Sequence, residues 1–468
     1  MTNFTKPDTN PSRRAFLKRA SALSIMGTAA PWAMSLAAMS EASAAGATDY
    51  KAIVCIFLYG GNDYANTVTP YDATSYNAYQ AMRPSFAHTQ AALAATVLKP
   101  AAAPIDVTGA AHQYALAPAL APILPLFDSG KLGVIMNVGN LIGPTTKAQW
   151  NAKSVKLPAK LFSHNDQQST WQSSAPEGAR SGWGGRIGDL FESGNTNSTF
   201  TCVNVTGNAI FLSGAAAVQY QVSTNGSVPL NGLKSPLFGS SVATEALRTL
   251  ITEPRTNLLE SEYNRVTTRS INANTTLTTA LAASTALTTV FPTANGLGDQ
   301  LKMVARMIGA ASALGVRRQV FFVGLGGFDL HDSMAATHPK LMKTVADAMA
   351  AFYASTVELG VADNVTAFTA SDFGRTMLGN GDGADHGWGS MHFVMGGAVK
   401  GQKLYGTAPV VANGGVDDVG SGRLLPTTSV DQLAATLGKW MGISDSNLLT
   451  MLPNLSNWDA AKRTMAFL

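Results

Sequence analysis

Lys51-Ala-Ile-Val-Cys-Ile-Phe-Leu-Tyr59 is an almost unbroken apolar run that stops at Gly60-Gly61. With no polar position alternating along it, both faces demand burial, as in a strand inside a parallel sheet. Leu132–Val138, Arg318–Val323 and Val365–Ala370 repeat the pattern. Between the later runs the apolar period lengthens. Leu301, Val304, Ile308 and Ala311 share one helical face before Gly315, and Leu341, Val345, Met349 and Phe352 share another before Gly360. Ser429-x-x-Gln432 is a capping box opening a third helix with Leu433, Leu437 and Trp440. Strands alternating with helices predict an α/β layered fold with a largely parallel sheet. Residues 200–295 break the pattern. They are rich in Thr, Ser, Asn and Gly, with short strands and turns over Thr201–Val222 and a long polar helical stretch over Glu245–Leu287. We read this region as an inserted cap or lobe.

The N-terminus carries a different signal. Ser12-Arg13-Arg14-Ala15-Phe16-Leu17-Lys18 precedes a weakly apolar stretch and then Ala42-Ser43-Ala44, a small-x-small cleavage site before Ala45. Basic, apolar and cleavage regions in that order predict a twin-arginine signal peptide over residues 1–44, with the translocase as export partner and a periplasmic or secreted destination. Gly27 and Pro31 within the apolar part argue against a membrane span, so none is expected after cleavage. Without residues 1–44 the chain keeps 28 basic and 27 acidic side chains, and no Lys/Arg-rich run is left, which excludes an electrostatic nucleic-acid footprint. Residues 45–468 are expected to form one α/β domain. Cys55 and Cys202 read as two buried free thiols, in a compartment that would also permit a disulfide.

Polar clusters follow the buried runs, where an open α/β sheet gathers its ligands. They are Gly60-Gly61-Asn62-Asp63, Gly327-Phe328-Asp329-Leu330-His331 and Ser371-Asp372-Phe373-Gly374-Arg375-Thr376, then Asp385-His386-Gly387-Trp388-Gly389 and His392. Of seven histidines, four (His164, His331, His386, His392) lie in such polar segments. Carboxylate and imidazole gathered from several strand ends suit a divalent cation such as Zn or Mn. Each piece also has an ordinary reading. Asp63 could cap a turn, Asp372 could pair with Arg375, and His392, beside Phe393 and Val394, could be a core histidine.

These stretches, with Ser163-His164 through Trp171 and Gly182-Trp183-Gly184-Gly185-Arg186, resemble the bacterial domain-of-unknown-function family 1501, whose members often carry twin-arginine signals. The resemblance spans nearly the whole mature chain. It implies a distant branch of the alkaline phosphatase and sulfatase superfamily: a three-layer sandwich around a largely parallel sheet, with a two-metal site. On that pattern Asp63 falls at the first Asp position, Asp329 and His331 at the middle Asp and His, and Asp372 at the Asp of an Asp-His pair. His386 falls at the final His, with His392 as rival. Two departures stand out: Phe373 replaces the pair's His, and no nucleophile motif is present, Ser163 being the best candidate ahead of Ser169 and Thr170.

The resulting expectation is metal-assisted hydrolysis of a phosphate or sulfate ester, with Zn or Mn held by Asp329, His331 and His386. Asp63 and Asp372 would orient the nucleophile or hold a second cation, and Arg375 would either clamp the anion or pair with Asp372. The substrate class would be a small anionic ester or a surface polymer. The rival expectation is a catalytically inactive secreted binding or cell-surface assembly protein on the same fold. A redox role finds no haem, flavin or iron–sulfur motif.

Overall fold

The computed structural model describes residues 39–40 and 49–468. The export signal read in residues 1–44, and the cleavage point before Ala45, fall outside the described residues apart from Met39 and Ser40. Among the described residues the strands are β1 (Lys51–Leu58), β2 (Val68–Pro70), β3 (Tyr114–Leu116), β4 (Leu132–Gly139), β5 (Cys202–Asn204), β6 (Tyr220–Gln221), β7 (Arg318–Leu325), β8 (Val365–Ser371), β9 (Arg375–Gly379), β10 (Ala384–His386), β11 (Ser390–Gly396), β12 (Leu404–Tyr405) and β13 (Thr428–Ser429). Nine form one sheet in the order β12-β4-β11-β8-β1-β7-β5-β6, with β13 also on β4, while β2–β3 and β9–β10 are separate pairs. In the large sheet β11 runs antiparallel to β4 and β8, and every other pairing is parallel. The protein is a mixed α/β fold with a mostly parallel central sheet.

The four apolar runs are β1, β4, β7 and β8. Their predominantly apolar character on both faces has a direct cause, for each side of the sheet has its own core. From β1, Ala52, Val54, Ile56 and Leu58 point into one core and Ile53, Cys55 and Phe57 into the other. The helices Gly296–Gly309 and Met334–Glu358 cover the first face with Leu301, Val304, Ile308, Val345, Met349 and Phe352. Trp183–Phe191 and Val430–Met441 cover the second with Ile187, Leu190, Leu433 and Leu437. Each such side chain contributes about 1.5–3 kcal/mol by leaving water. Gly315, with φ +68°, ends the short helix Ala311–Leu314 that continues the first of these, and Ser429 and Gln432 cap each other reciprocally as the sequence predicts.

In the middle of the chain, β5 and β6 extend the sheet at its edge. The polar stretch after them is a helical hairpin, Ser241–Thr252 and Leu258–Ala283, joined where Asn264 Nδ2 donates to the carbonyls of Leu250 (3.1 Å) and Glu253 (2.6 Å). Cys55 and Cys202 are both buried and unpaired. No described helix is long and apolar enough to cross a membrane.

Two histidines are packed inside. His392, on β11, lies edge-on to Trp171 at 6.0 Å, and burial pushes its pKa down to about 3. His338 donates from Nε2 to Asn62 Oδ1 at 3.0 Å, and burial lowers it to about 4. Both folded-state values lie below the ordinary 6.5, so acid protonates the unfolded chain first. The stability each confers is present above pH 6.5 and is lost as pH falls from there toward about 4 or 3. Replacing His392 with Phe is expected to shrink the stability lost between pH 7.5 and pH 5 by about 2 kcal/mol, read from urea unfolding at both pH values.

Candidate metal centre

β1, β7 and β8 are adjacent and parallel, so the segments leaving their C-terminal ends meet at one rim of the sheet. β1 delivers Gly60-Gly61, β7 delivers Asp329 and His331, and β8 delivers Asp372, Phe373 and Arg375. The β9–β10 hairpin returns His386, and the helix His164–Ser173 points its first residue at the same place. Close approach needs the glycines: a Cβ on Gly60 would lie 2.4 Å from the Asp329 backbone nitrogen, and one on Gly61 would lie 2.5 Å from the Phe373 ring.

Three imidazoles and one carboxylate face each other there. Asp329 Oδ1 lies 3.2 Å from His164 Nε2, 3.1 Å from His331 Nε2 and 3.4 Å from His386 Nε2. His386 Nε2 is 3.0 Å from His164 Nε2 and 2.9 Å from His331 Nε2. The edge of a tetrahedral shell with bonds near 2.0–2.1 Å is about 3.3 Å, so the separations among His164, Asp329 and His386 are those of ligands around one small cation, while His331 neighbours Asp329 and His386 outside that mutually close group.

The far nitrogen of each ring has its own partner. His386 Nδ1 is 2.7 Å from the Phe162 carbonyl, His164 Nδ1 is 2.6 Å from Asp372 Oδ2, and His331 Nδ1 is 3.3 Å from Asp385 Oδ1. All three partners accept, so each Nδ1 is placed to donate and each Nε2 faces the centre. Arg375 Nη1 lies 3.5 Å from His331 Nε2. His164, Asp329 and His386 form a group that could hold a metal ion, and a donor set of imidazole nitrogen with carboxylate oxygen suits Zn or Mn.

The surroundings support the ligand atoms. Arg375 is fully buried and directs its guanidinium at the carbonyls of Gly60, Gly61 (3.0 Å), Phe328 (3.1 Å) and Ala384 (3.0 Å), and at Asp329 Oδ1. Burial acts to raise the Asp329 pKa, but the Arg375 hydrogen bond and charge, with His164 and His331, hold it down at about 2. The hydrogen bond from Asp372 raises His164 against the opposing effect of burial. Burial lowers His386, and the charges of His164 and Arg375 add to that against the Phe162 hydrogen bond. Asp372 also accepts from Gln168 Nε2 at 2.8 Å and from Gly60 N at 3.2 Å. Phe373 packs its ring 4.8 Å from His164 and 4.9 Å from His386, where it offers no lone pair.

The structure therefore brings Asp329, His331 and His386 together and adds His164. Other expected positions are corrected. Asp63 is buried in an ion pair with Arg83 at 2.6 Å, away from the cluster, and that charge keeps its carboxyl low against the burial that would raise it. Asp372 stands behind His164 as its hydrogen-bond acceptor, not among the converging atoms. His392 is in the core. Arg375 has no face left for a substrate anion, and its carboxylate partner is Asp329, not Asp372. Ser163 donates to Asp166 Oδ2 at 2.9 Å, Ser169 to the Pro176 carbonyl at 3.0 Å and Thr170 to the Asp166 carbonyl at 2.7 Å, so all three candidate nucleophiles are committed elsewhere. In the sequence His164 is a histidine in a polar segment beside Ser163, the position expected to carry the nucleophile. The available signal was its place at the first turn of a helix too polar to be core.

Two substitutions separate ligand support from plain structure. Asp372→Asn is expected to weaken zinc binding about 10–100-fold by releasing the His164 ring. Asp63→Asn leaves zinc affinity unchanged but lowers stability by roughly 3–5 kcal/mol, because Arg83 stays buried without its charge partner. Zinc titration against a competing chelator and denaturant unfolding measure the two. An equal loss of affinity in both variants would return Asp63 to the ligand set.

No curated protein matches the chain. Solved structures with some likeness include Ps i-CgsB in complex with k-i-k-neocarrahexaose, 9% identical over 88% of this chain and 77% of that one, TM-score 0.33. Ps i-CgsB alone is 10% identical with the same coverage and a TM-score of 0.34. A protein solved in connection with the metabolism of multiple glycosaminoglycans by Bacteroides thetaiotaomicron is 11% identical over 85% of this chain and 74% of that one, TM-score 0.34. Residues 50–457 match the family described as "Protein of unknown function (DUF1501)", and the chain belongs to that family.

Proposed function

We propose that this chain is exported by the twin-arginine route and hydrolyses phosphate or sulfate esters outside the cytoplasm. It would use one divalent cation, Zn or Mn, held by His164, Asp329 and His386, with His331 beside Asp329 and His386. One observation carries the reading: three imidazoles whose Nδ1 atoms face Phe162, Asp372 and Asp385 turn their Nε2 atoms toward Asp329 Oδ1. The same reading takes residues 45–468 as an alkaline-phosphatase-like three-layer sandwich with an inserted lobe at about 200–295. The separate cores on the two sheet faces support it.

A divalent cation supplies a Lewis acid that polarises an anionic ester oxygen and brings the pKa of a water toward about 7. The chain's own groups do the rest. Arg375 keeps Asp329 ionised and fixed, Asp372 orients the His164 ring, and Phe373 packs against the His164 and His386 rings. Because the nearby hydroxyls are committed, attack falls to water and not to a covalent side-chain nucleophile. Asp329 and His331 are partly exposed, which leaves the site open on one side to an incoming ester.

The missing nucleophile and the Phe373 ring also favour the second reading, an inactive secreted binding or cell-surface assembly protein. The purified full chain is expected to carry about one Zn or Mn per molecule by elemental mass spectrometry. Nitrophenyl phosphate, bis-nitrophenyl phosphate and nitrophenyl sulfate with added Zn or Mn form the activity screen. Asp329→Ala and His164→Ala should each cut turnover roughly a hundredfold or more. One bound metal without turnover of any ester would select the binding role, and protein that stays metal-free and inactive would end the hydrolase reading.

A further inference from the structure

One helix of the hairpin carries a single apolar stripe that is only half used. In Leu258–Ala283, the residues Leu259, Tyr263, Val266, Ser270, Ala273, Leu277 and Ala280 follow at alternating steps of four and three, which puts them on one face. Ala273, Leu277 and Ala280 are buried in the core of the body. Leu259, Tyr263 and Val266 continue the same face and are 83%, 66% and 43% exposed. The other hairpin helix does not cover them. It binds at Asn264 and Thr268, whose side chains donate to the carbonyls of Leu250, Glu253 and Thr252, roughly half a turn away around the helix. Ten of the fifteen exposed large hydrophobic side chains among the described residues fall between Val228 and Val290. Isolated exposed apolar residues are ordinary, but such a concentration marks an interaction surface.

The charges beside the stripe say what fits it. Glu262 directly precedes Tyr263 and Arg269 directly precedes Ser270, so an acid and a base stand seven residues apart on one flank. Two copies of the helix laid in parallel would face Glu262 with the opposite flank of the other copy, where Thr267 carries no charge, and Glu262 would keep only its own-helix partner Arg265. Laid antiparallel about a two-fold axis, they put Glu262 of each against Arg269 of the other, twice, with Tyr263 over Val266. The partner's Leu259 then falls beside Ser270, where Val218, Val228, Val266 and Ala273 border a cavity of about 540 Å³. We propose that this overhanging half-stripe is a homodimer interface, closed by a second copy of this chain in antiparallel register. The inference is independent of the metal centre.

Sedimentation velocity and light scattering of the full chain over a concentration series test it. A concentration-dependent dimer is expected. Glu262→Arg and Arg269→Glu should each raise its dissociation constant at least about tenfold, and the two reversals combined should restore it. Leu259→Asp should give monomer. All three positions are exposed, and far-UV circular dichroism with zinc content checks that the variants fold. A wild-type monomer throughout the series, or a dimer indifferent to both charge reversals, overturns the proposal. So does a monomer that co-sediments with anionic lipid vesicles, which would assign the stripe to a membrane surface.

Discussion

The buried guanidinium of Arg375 is the constraint on which the rim of this sheet depends. It ties the carbonyls of Gly60 and Gly61 after β1, that of Phe328 after β7 and that of Ala384 in the returning hairpin, and it holds the Asp329 carboxylate as well. Segments from distant parts of the chain thus share one planar hub with five donors in fixed directions. A lysine would supply three donors from a single point and could not span the same carbonyls. The hub is satisfied from within, which is why it positions the site and does not contact a substrate.

Around that hub the cluster is arranged from the outside inward. A carbonyl and two carboxylates orient three rings at their Nδ1 atoms, and the rings then present Nε2 atoms toward an ionised Asp329. His164, Asp329 and His386 thereby form a group that could hold a metal ion. Phe373 and Asp63 set the limits of the site. The first contributes packing where a ligand could have stood, and the second is neutralised by Arg83 in a separate buried pair.

Much of the frame was legible before folding. β1, β4, β7 and β8 announce themselves because a strand covered on both sides is apolar at most positions on either face, and the Ser429 cap, Gly315 and the helical periods are equally local signals. The pairing of Asp329 with His331 and the return of His386 were legible because acids and histidines after buried strands collect at one rim. Asp63 and His392 looked equivalent to them in the linear chain. Their roles depend on Arg83, twenty residues on from Asp63, and on Trp171, from another element altogether, neither of which the local pattern signals.

By itself, then, the sequence determined the sheet-forming segments, the helices that cover them, the polar loops between, and the compositional exclusion of a nucleic-acid surface, since burial, capping and charge act on near neighbours. Tertiary structure alone decided which side chains share the centre. It selected His164 over Ser163, moved Asp372 from orienting a nucleophile or holding a second cation, and Arg375 from clamping an anion, to support, and retired His392 to the core. The physical reason is that ligation at about 2 Å is set by the relative placement of strand ends and a helix N-terminus, to a precision far finer than any one-dimensional pattern carries.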